Sequence, residues 1–319
     1  MGLSGTRLLA VLVAIATGTV SFGGLMAQPG ERVVACAGLE IGPARTVARV
    51  IDGETVTLDD GSQLRLIGAL APRAIDAGAD PGMWPLEAAA QEELRALVLG
   101  KSIELAFGGE RADRYGRLQA QAFSIEGNER RWVQGHLLQQ GLARAVVQAG
   151  NRACAGELLQ AERVAREARR GLWADAAYQI RSADSPLVLS RYRSTFQVVE
   201  GRVAGVAQVR GTIYLNFGAN WRQAFAVSLR RGDRGLLGAH AGDPKTLQGR
   251  LARVRGWIEQ RHGPTIDLST AGLIEVVDEP APAAGSPPSP NPRRRSRAAQ
   301  DPPPQEPQAE PPGLIETGR

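Results

Sequence analysis

At 319 residues the chain is long enough for two hydrophobic cores plus extensions. With 43% hydrophobic and 22% charged residues its bulk is composed as a folded protein, which excludes a chain that is disordered or membrane-embedded throughout. The formal charge of +5 favours polyanions as partners, but Lys101 and Lys245 are the only lysines, so an arginine-rich composition accounts for part of that charge.

Arg7 precedes an apolar run over residues 8–20, and Ala27 stands at a small-residue cleavage position before Gln28. The pattern predicts a signal peptide over residues 1–27 and an exported mature protein, periplasmic or secreted, with no membrane span. The run is shorter than the ~20 residues of a spanning helix, which leaves an uncleaved anchor as the lesser alternative. Export would place Cys36 and Cys154 where a disulfide persists. Pairing is the expectation, with two buried thiols as the alternative. His136, His240 and His262 show no metal-ligand spacing and read as structural or exposed.

Strand periodicity follows over residues 46–51, 55–58 and 63–70, with Asp52-Gly53 and Asp60-Gly61 as turns. Pro85 opens a helix through residue 98 that Gly100 closes. Strands over 102–107 and 118–125 come next, then helices over 133–140 and 156–170 ended by Gly141 and Gly171. Residues 36–182 therefore read as an α+β domain, a small barrel with three helices. Residues 190–278 carry apparent strands at 197–206, 212–217, 224–229, 250–259 and 265–268, enough for a second small barrel, and the pattern of Gly201-Arg202-Val203, Leu215-Asn216-Phe217-Gly218, residues 249–257 and Gly263-Pro264-Thr265-Ile266 resembles an oligonucleotide-binding (OB) module. On the fourth of these, alternation puts Arg253, Arg255 and Trp257 on one face. Such a face suits single-stranded nucleic acid, although a solvated arginine face with Trp257 capping the core is the commoner arrangement. Residues 279–319, proline-rich and carrying Arg293-Arg294-Arg295, read as a disordered tail.

Four segments of the first domain fall in a telling order. They are Val50-Ile51-Asp52-Gly53-Glu54-Thr55-Val56, Leu64-Arg65-Leu66-Ile67, Asp113-Arg114-Tyr115-Gly116-Arg117, and Gln140-Gly141-Leu142-Ala143 with Gly171-Leu172-Trp173 closing. Together they resemble the staphylococcal nuclease (thermonuclease) family over residues 44–175. The resemblance implies a five-stranded barrel with three helices, a calcium ion, two phosphate-binding arginines, and a glutamate that helps water attack phosphorus. By the resemblance, Arg65 and Arg117 match the phosphate-binding arginines, Asp52 and Glu54 stand at metal-ligand carboxylate positions of the turn, Glu54 in place of a calcium-binding aspartate, and Tyr115 with Arg114 stands at the substrate.

The run Leu70-Ala71-Pro72-Arg73 breaks the pattern. By the resemblance, Leu70 replaces a calcium ligand and Arg73 replaces the general base. An apolar side chain cannot ligate calcium, and a guanidinium cannot accept a proton near neutral pH. Val147 and Ala149 replace tyrosines on which a base would stack. Asp76, Asp80 and Glu87 are substitute acids of low expectation. Structural roles also fit the retained residues: Asp52 in its turn, Arg117 paired with Asp113, Tyr115 packed on the barrel. For Arg65 and Arg117 both roles stay open, because two arginines in a pocket without acids repel unless an anion lies between them.

The expectation is a degenerate nuclease domain that binds phosphate or nucleic acid, or a protein partner in the cell envelope. The alternative is a weak or metal-altered phosphodiesterase. Calcium is expected only if the site is active, and otherwise no cofactor.

Overall fold

Alternating apolar residues build the first barrel from short strands. The computed structural model describes residues 36, 38–73 and 86–277. The expected signal, the tail, Asp76, Asp80 and Pro85 lie outside the described residues. The chain runs through β1 (Glu40–Val50), β2 (Thr55–Leu58), β3 (Gln63–Leu66), β4 (Ala69–Leu70), α1 (Glu87–Val98), β5 (Ser102–Phe107), β6 (Leu118–Glu126), β7 (Glu129–Trp132), α2 (Val133–Gln139), β8 (Arg144–Ala145) and α3 (Ala155–Glu167). Strands β3-β2-β1-β5-β6 pair antiparallel in that order, and a parallel β3–β6 pairing closes the ring. Val56, Leu64 and Leu105 fill it, and Leu94 of α1 and Leu137 of α2 are buried with them.

The single strand expected over 63–70 is two strands, because Gly68 between them takes a φ of 93°. A β-carbon there would meet Leu158 of α3 at 2.6 Å. Gly141 stops α2 as expected, whereas α3 ends at Glu167 with Arg169 at a φ of 50°, and Gly171 instead meets Gly141. Each glycine has a positive φ, and Leu172 N–H donates to Gly141 C=O at 2.8 Å, an approach with no room for side chains.

A two-residue strand β9 (Arg181–Ser182) and a short helix α4 (Pro186–Ser190) lead to β10 (Phe196–Arg202), β11 (Gly205–Val209), β12 (Thr212–Asn216), β13 (Ala226–Arg230), β14 (Leu251–Gln260), β15 (Pro264–Asp267) and β16 (Gly272–Val276). Where one strand was expected over 197–206, β10 and β11 are two halves bent at Val203–Ala204; β10 pairs with β14 and β11 with β12. With β12–β13, parallel β13–β15 and β14–β15 pairings the second ring closes in the same order as the first. Its core holds Leu215, Phe225, Val227, Val254 and Ile266.

The described residues all fall in one compact unit, and the seam between the barrels shows why. Ala149 N–H donates to Thr270 C=O at 3.2 Å, and Gly272 N–H donates to Val147 C=O at 2.9 Å. Leu70, Val146 and Phe196 form one apolar cluster with Trp257 packed on it. Beside the cluster, Arg255 on β14 is fully buried and reaches Glu162 on α3 at 2.7 Å and Glu275 on β16 at 2.7 Å. Arg166 holds the same Glu162 at 2.9 Å.

The basic face of β14 is therefore neither a strand-binding surface nor a solvated one. Alternation did put Arg253, Arg255 and Trp257 on one side, but that side is turned to the first barrel, and buried carboxylates supply the counter-charge. Arg253 is spent on Glu200 at 2.6 Å.

Candidate phosphate site of the first barrel

Asp52 starts the tight turn between β1 and β2. Its Oδ1 accepts the Glu54 N–H at 2.9 Å, the local hydrogen bond by which an aspartate shapes a turn. The turn delivers Glu54 to the interior, where it is 1% exposed. Oε1 of Glu54 lies 2.8 Å from Arg65 on β3 and 3.3 Å from Arg73, and Oε2 accepts the Ala71 N–H at 3.2 Å. Oε1 accepts no well-directed hydrogen bond, so both guanidiniums hold it by charge. Burial pushes the Glu54 carboxyl up to about 7, against the pull of Arg65 and Arg73 and with a smaller push from Asp52.

The anion that the two arginines require is thus internal. Arg65, read as a phosphate ligand, and Arg73, at the general-base position, both close on Glu54. Each is largely covered, with side chains 17% and 16% exposed.

Arg117 belongs to a separate group at the start of β6. Its Nε donates to Asp113 Oδ2 at 2.7 Å, and Asp113 Oδ1 accepts the backbone N–H groups of Tyr115 and Arg117. Partial burial opposes ionisation of Asp113, but Arg117 and these amides hold its carboxyl below the ordinary carboxylate range. Tyr115 does not pack on the barrel: it is 68% exposed, with the Arg114 guanidinium 4.7 Å and that of Arg117 5.4 Å from its ring centre. Arg114 also donates to the Tyr115 hydroxyl at 2.6 Å. Among the described residues no hydrogen bond or ion pair joins this loop to the Glu54 group.

Among the described residues, those matched to the calcium site do not fit the ion. Leu70 offers no donor and is packed in the seam; Glu54 is held by two cations and an amide; Asp52 is engaged in its own turn. Among the described residues no group of three or more His, Cys, Asp or Glu side chains stands close enough to hold a metal. Glu87, a substitute acid by its sequence, begins α1.

Three positions where the sequence departs from the nuclease pattern share one location. Leu70 contacts Phe196 and Trp257, and Val147 and Ala149 make the backbone bonds to Gly272 and Thr270. The second barrel sits where those departures are. Sequence reading missed the residues that hold it there. Arg144 on β8 is 3% exposed and donates to Phe196 C=O at 2.6 Å, while Glu162 and Arg255 form the buried pair. An acidic residue on the apolar stripe of α3 was the one available sign.

Elsewhere, Cys36 and Cys154 form a disulfide with Cα atoms 5.2 Å apart, tying the chain before β1 to the start of α3. His136 lies 2.7 Å from Glu93, and His240 2.7 Å from Thr246.

Residues 63–175 match the family model of the staphylococcal nuclease homologues. The matched stretch holds Arg65, Leu70, Arg73 and the loop 113–117, and it ends before the second barrel. No curated protein matches the chain.

Proposed function

On the premise that residues 63–175 form a domain of the staphylococcal nuclease homologue type, we propose that this protein binds nucleic acid without cutting it. The observation that carries the reading is the closure of Arg65 and Arg73 on Glu54, which leaves neither a base for water nor a pair of free guanidiniums for a pentacoordinate phosphate. Leu70 adds to it, because restoring an acid there would place a charge inside the seam. What remains accessible on the first barrel is the Arg114, Tyr115 and Arg117 loop, a ring flanked by cations that suits a base and its phosphate.

Export to an oxidising compartment is part of the proposal. It is supported by the apolar run over residues 8–20 and by the disulfide between Cys36 and Cys154.

The test is a mobility-shift experiment with the full chain on labelled single-stranded and duplex DNA and on RNA. The nucleic acid is recovered afterwards on a denaturing gel. A shift with intact strands is expected. Shortened strands would favour a metal-altered phosphodiesterase, and no shift with any of the three would favour a scaffold for a protein partner.

A further inference from the structure

The short helix α4, which lies between the two barrels in the chain, is apolar on both of its sides. Successive helical residues turn by about 100°, so Leu189 and Tyr192 share one face while Leu187, Val188 and Arg191 share the opposite one. The first face is spent on the fold: Leu189 is fully buried in the second core, and Tyr192 packs against that core. Hydrogen bonds carry the turn past the helix end, from Arg191 N–H to Val188 C=O at 3.1 Å and from Tyr192 N–H to Leu189 C=O at 2.9 Å, so Arg191 keeps its helical place.

The opposite face is turned to water. Leu187 is 84% exposed, more than any other large apolar side chain among the described residues, and Val188 beside it is 44% exposed. One exposed leucine is ordinary on any protein surface. Two apolar residues in succession, on a helix anchored by its other face, present a small apolar tip directed away from the core.

Cations surround this tip. Arg191 and Arg193 are exposed and make no ion pair among the described residues. Asp184 is the one acid over residues 180–199, and it precedes the helix, where its N–H donates to Ser182 Oγ at 3.2 Å. The segment therefore keeps a surplus of positive charge on a chain whose formal charge is +5.

We propose that this face of α4 seats the protein on an anionic lipid bilayer, with Leu187 and Val188 among the outermost acyl carbons and Arg191 and Arg193 at the headgroup phosphates. Charge complementarity selects that occupant, because an apolar tip rimmed by unpaired cations matches the boundary between anionic headgroups and acyl chains. A nucleic acid would leave Leu187 in water, and a second copy joined through the same face would set these arginines against each other. The contact is peripheral, since among the described residues no helix is long and apolar enough to cross a membrane. It is independent of the nucleic-acid reading above, which uses the Arg114, Tyr115 and Arg117 loop of the first barrel.

The test is co-sedimentation of residues 28–319, which keep every described element, with vesicles of phosphatidylglycerol and phosphatidylcholine and with vesicles of phosphatidylcholine alone, at physiological salt. Binding to the anionic vesicles and little to the neutral ones is expected. Leu187→Ser/Val188→Ser is expected to weaken the binding about 10-fold or more, and Arg191→Gln/Arg193→Gln about 10-fold or more. Thermal melting checks that each variant folds, and Leu187→Ala is the milder variant should the serine pair lower the melting temperature.

Anionic vesicles bound equally by the wild type and every variant would show adsorption of the basic chain as a whole, Arg293, Arg294 and Arg295 included, and overturn the site. Loss with the arginine variant but not with Leu187→Ser/Val188→Ser would leave a purely electrostatic contact and overturn the insertion of the apolar tip. No binding to anionic vesicles, or a dimer in solution that Leu187→Ser/Val188→Ser dissociates, would overturn the lipid assignment.

Discussion

Replacing Glu162 with alanine should destabilise both barrels together. Glu162 has no exposed surface and satisfies three groups: Arg255 at 2.7 Å, Arg166 at 2.9 Å, and the Ala145 N–H at 2.7 Å. Removing one partner of a buried ion pair costs ~3–5 kcal/mol, because the surviving charge stays out of water. Glu275 remains on Arg255, which puts the expectation near the low end, about 3 kcal/mol. That is a large share of the ~5–15 kcal/mol that holds a typical domain. Urea unfolding followed in parallel by tryptophan fluorescence and far-ultraviolet circular dichroism measures it. The two transitions should coincide and shift together, since the pair joins α3 of one barrel to β14 of the other. The paired replacement Glu162→Leu with Arg255→Met should not recover the loss, because it leaves the buried Glu275 without Arg255. A single-variant cost below about 1 kcal/mol, or a transition split into two steps with only one displaced, would refute the reasoning.

Leu70→Asp with Arg73→Glu rebuilds two family carboxylates by sequence, yet it should lower stability by about 3 kcal/mol or more and yield no calcium-dependent cutting, since the carboxylate introduced in place of Leu70 would face Phe196 and Trp257; melting and a cleavage assay check the two halves. Glu54 binds its proton more tightly folded than unfolded, about 7 against 4.5. The stabilisation that follows, on the order of 3 kcal/mol, is full below pH 4.5 and is lost as pH rises through 7. Glu54→Gln should flatten that fall when unfolding is measured across the window. Cys36→Ser with Cys154→Ser opens a loop with a sequence separation of 118 and should cost ~2–5 kcal/mol, with added reductant then having no further effect on the melting temperature.

The barrels were legible wherever side chains alternate over a strand or repeat along a helix, as in β2, β5 and α3. Short or bent pieces were not: β7 and β16 have few residues and no clean alternation, and the bend at Val203–Ala204 depends on pairing with two different strands. At the site, the turn formed by Asp52 and the pairing of Arg117 with Asp113 could be read from local sequence because the partners are two to four residues apart. Glu54 was read as a metal ligand and Arg65 as a phosphate ligand, since nothing local says that they face each other across neighbouring strands with Arg73 alongside. Arg255 was the hardest case. Its partner Glu162 lies 93 residues away in another barrel, so the alternation of β14 gave its side correctly and its surroundings wrongly.

The most direct test of the central claim is a hydrolysis rate. Purified full-length protein is incubated with single-stranded DNA, duplex DNA and RNA in calcium, magnesium or chelator, beside an Arg117→Ala variant. The account predicts no metal-dependent hydrolysis above the chelator blank, and no difference between wild type and variant. Cutting that needs a divalent ion and disappears with Arg117→Ala would contradict it, and would mean that another acid serves as base beside a phosphate that Arg117 still binds.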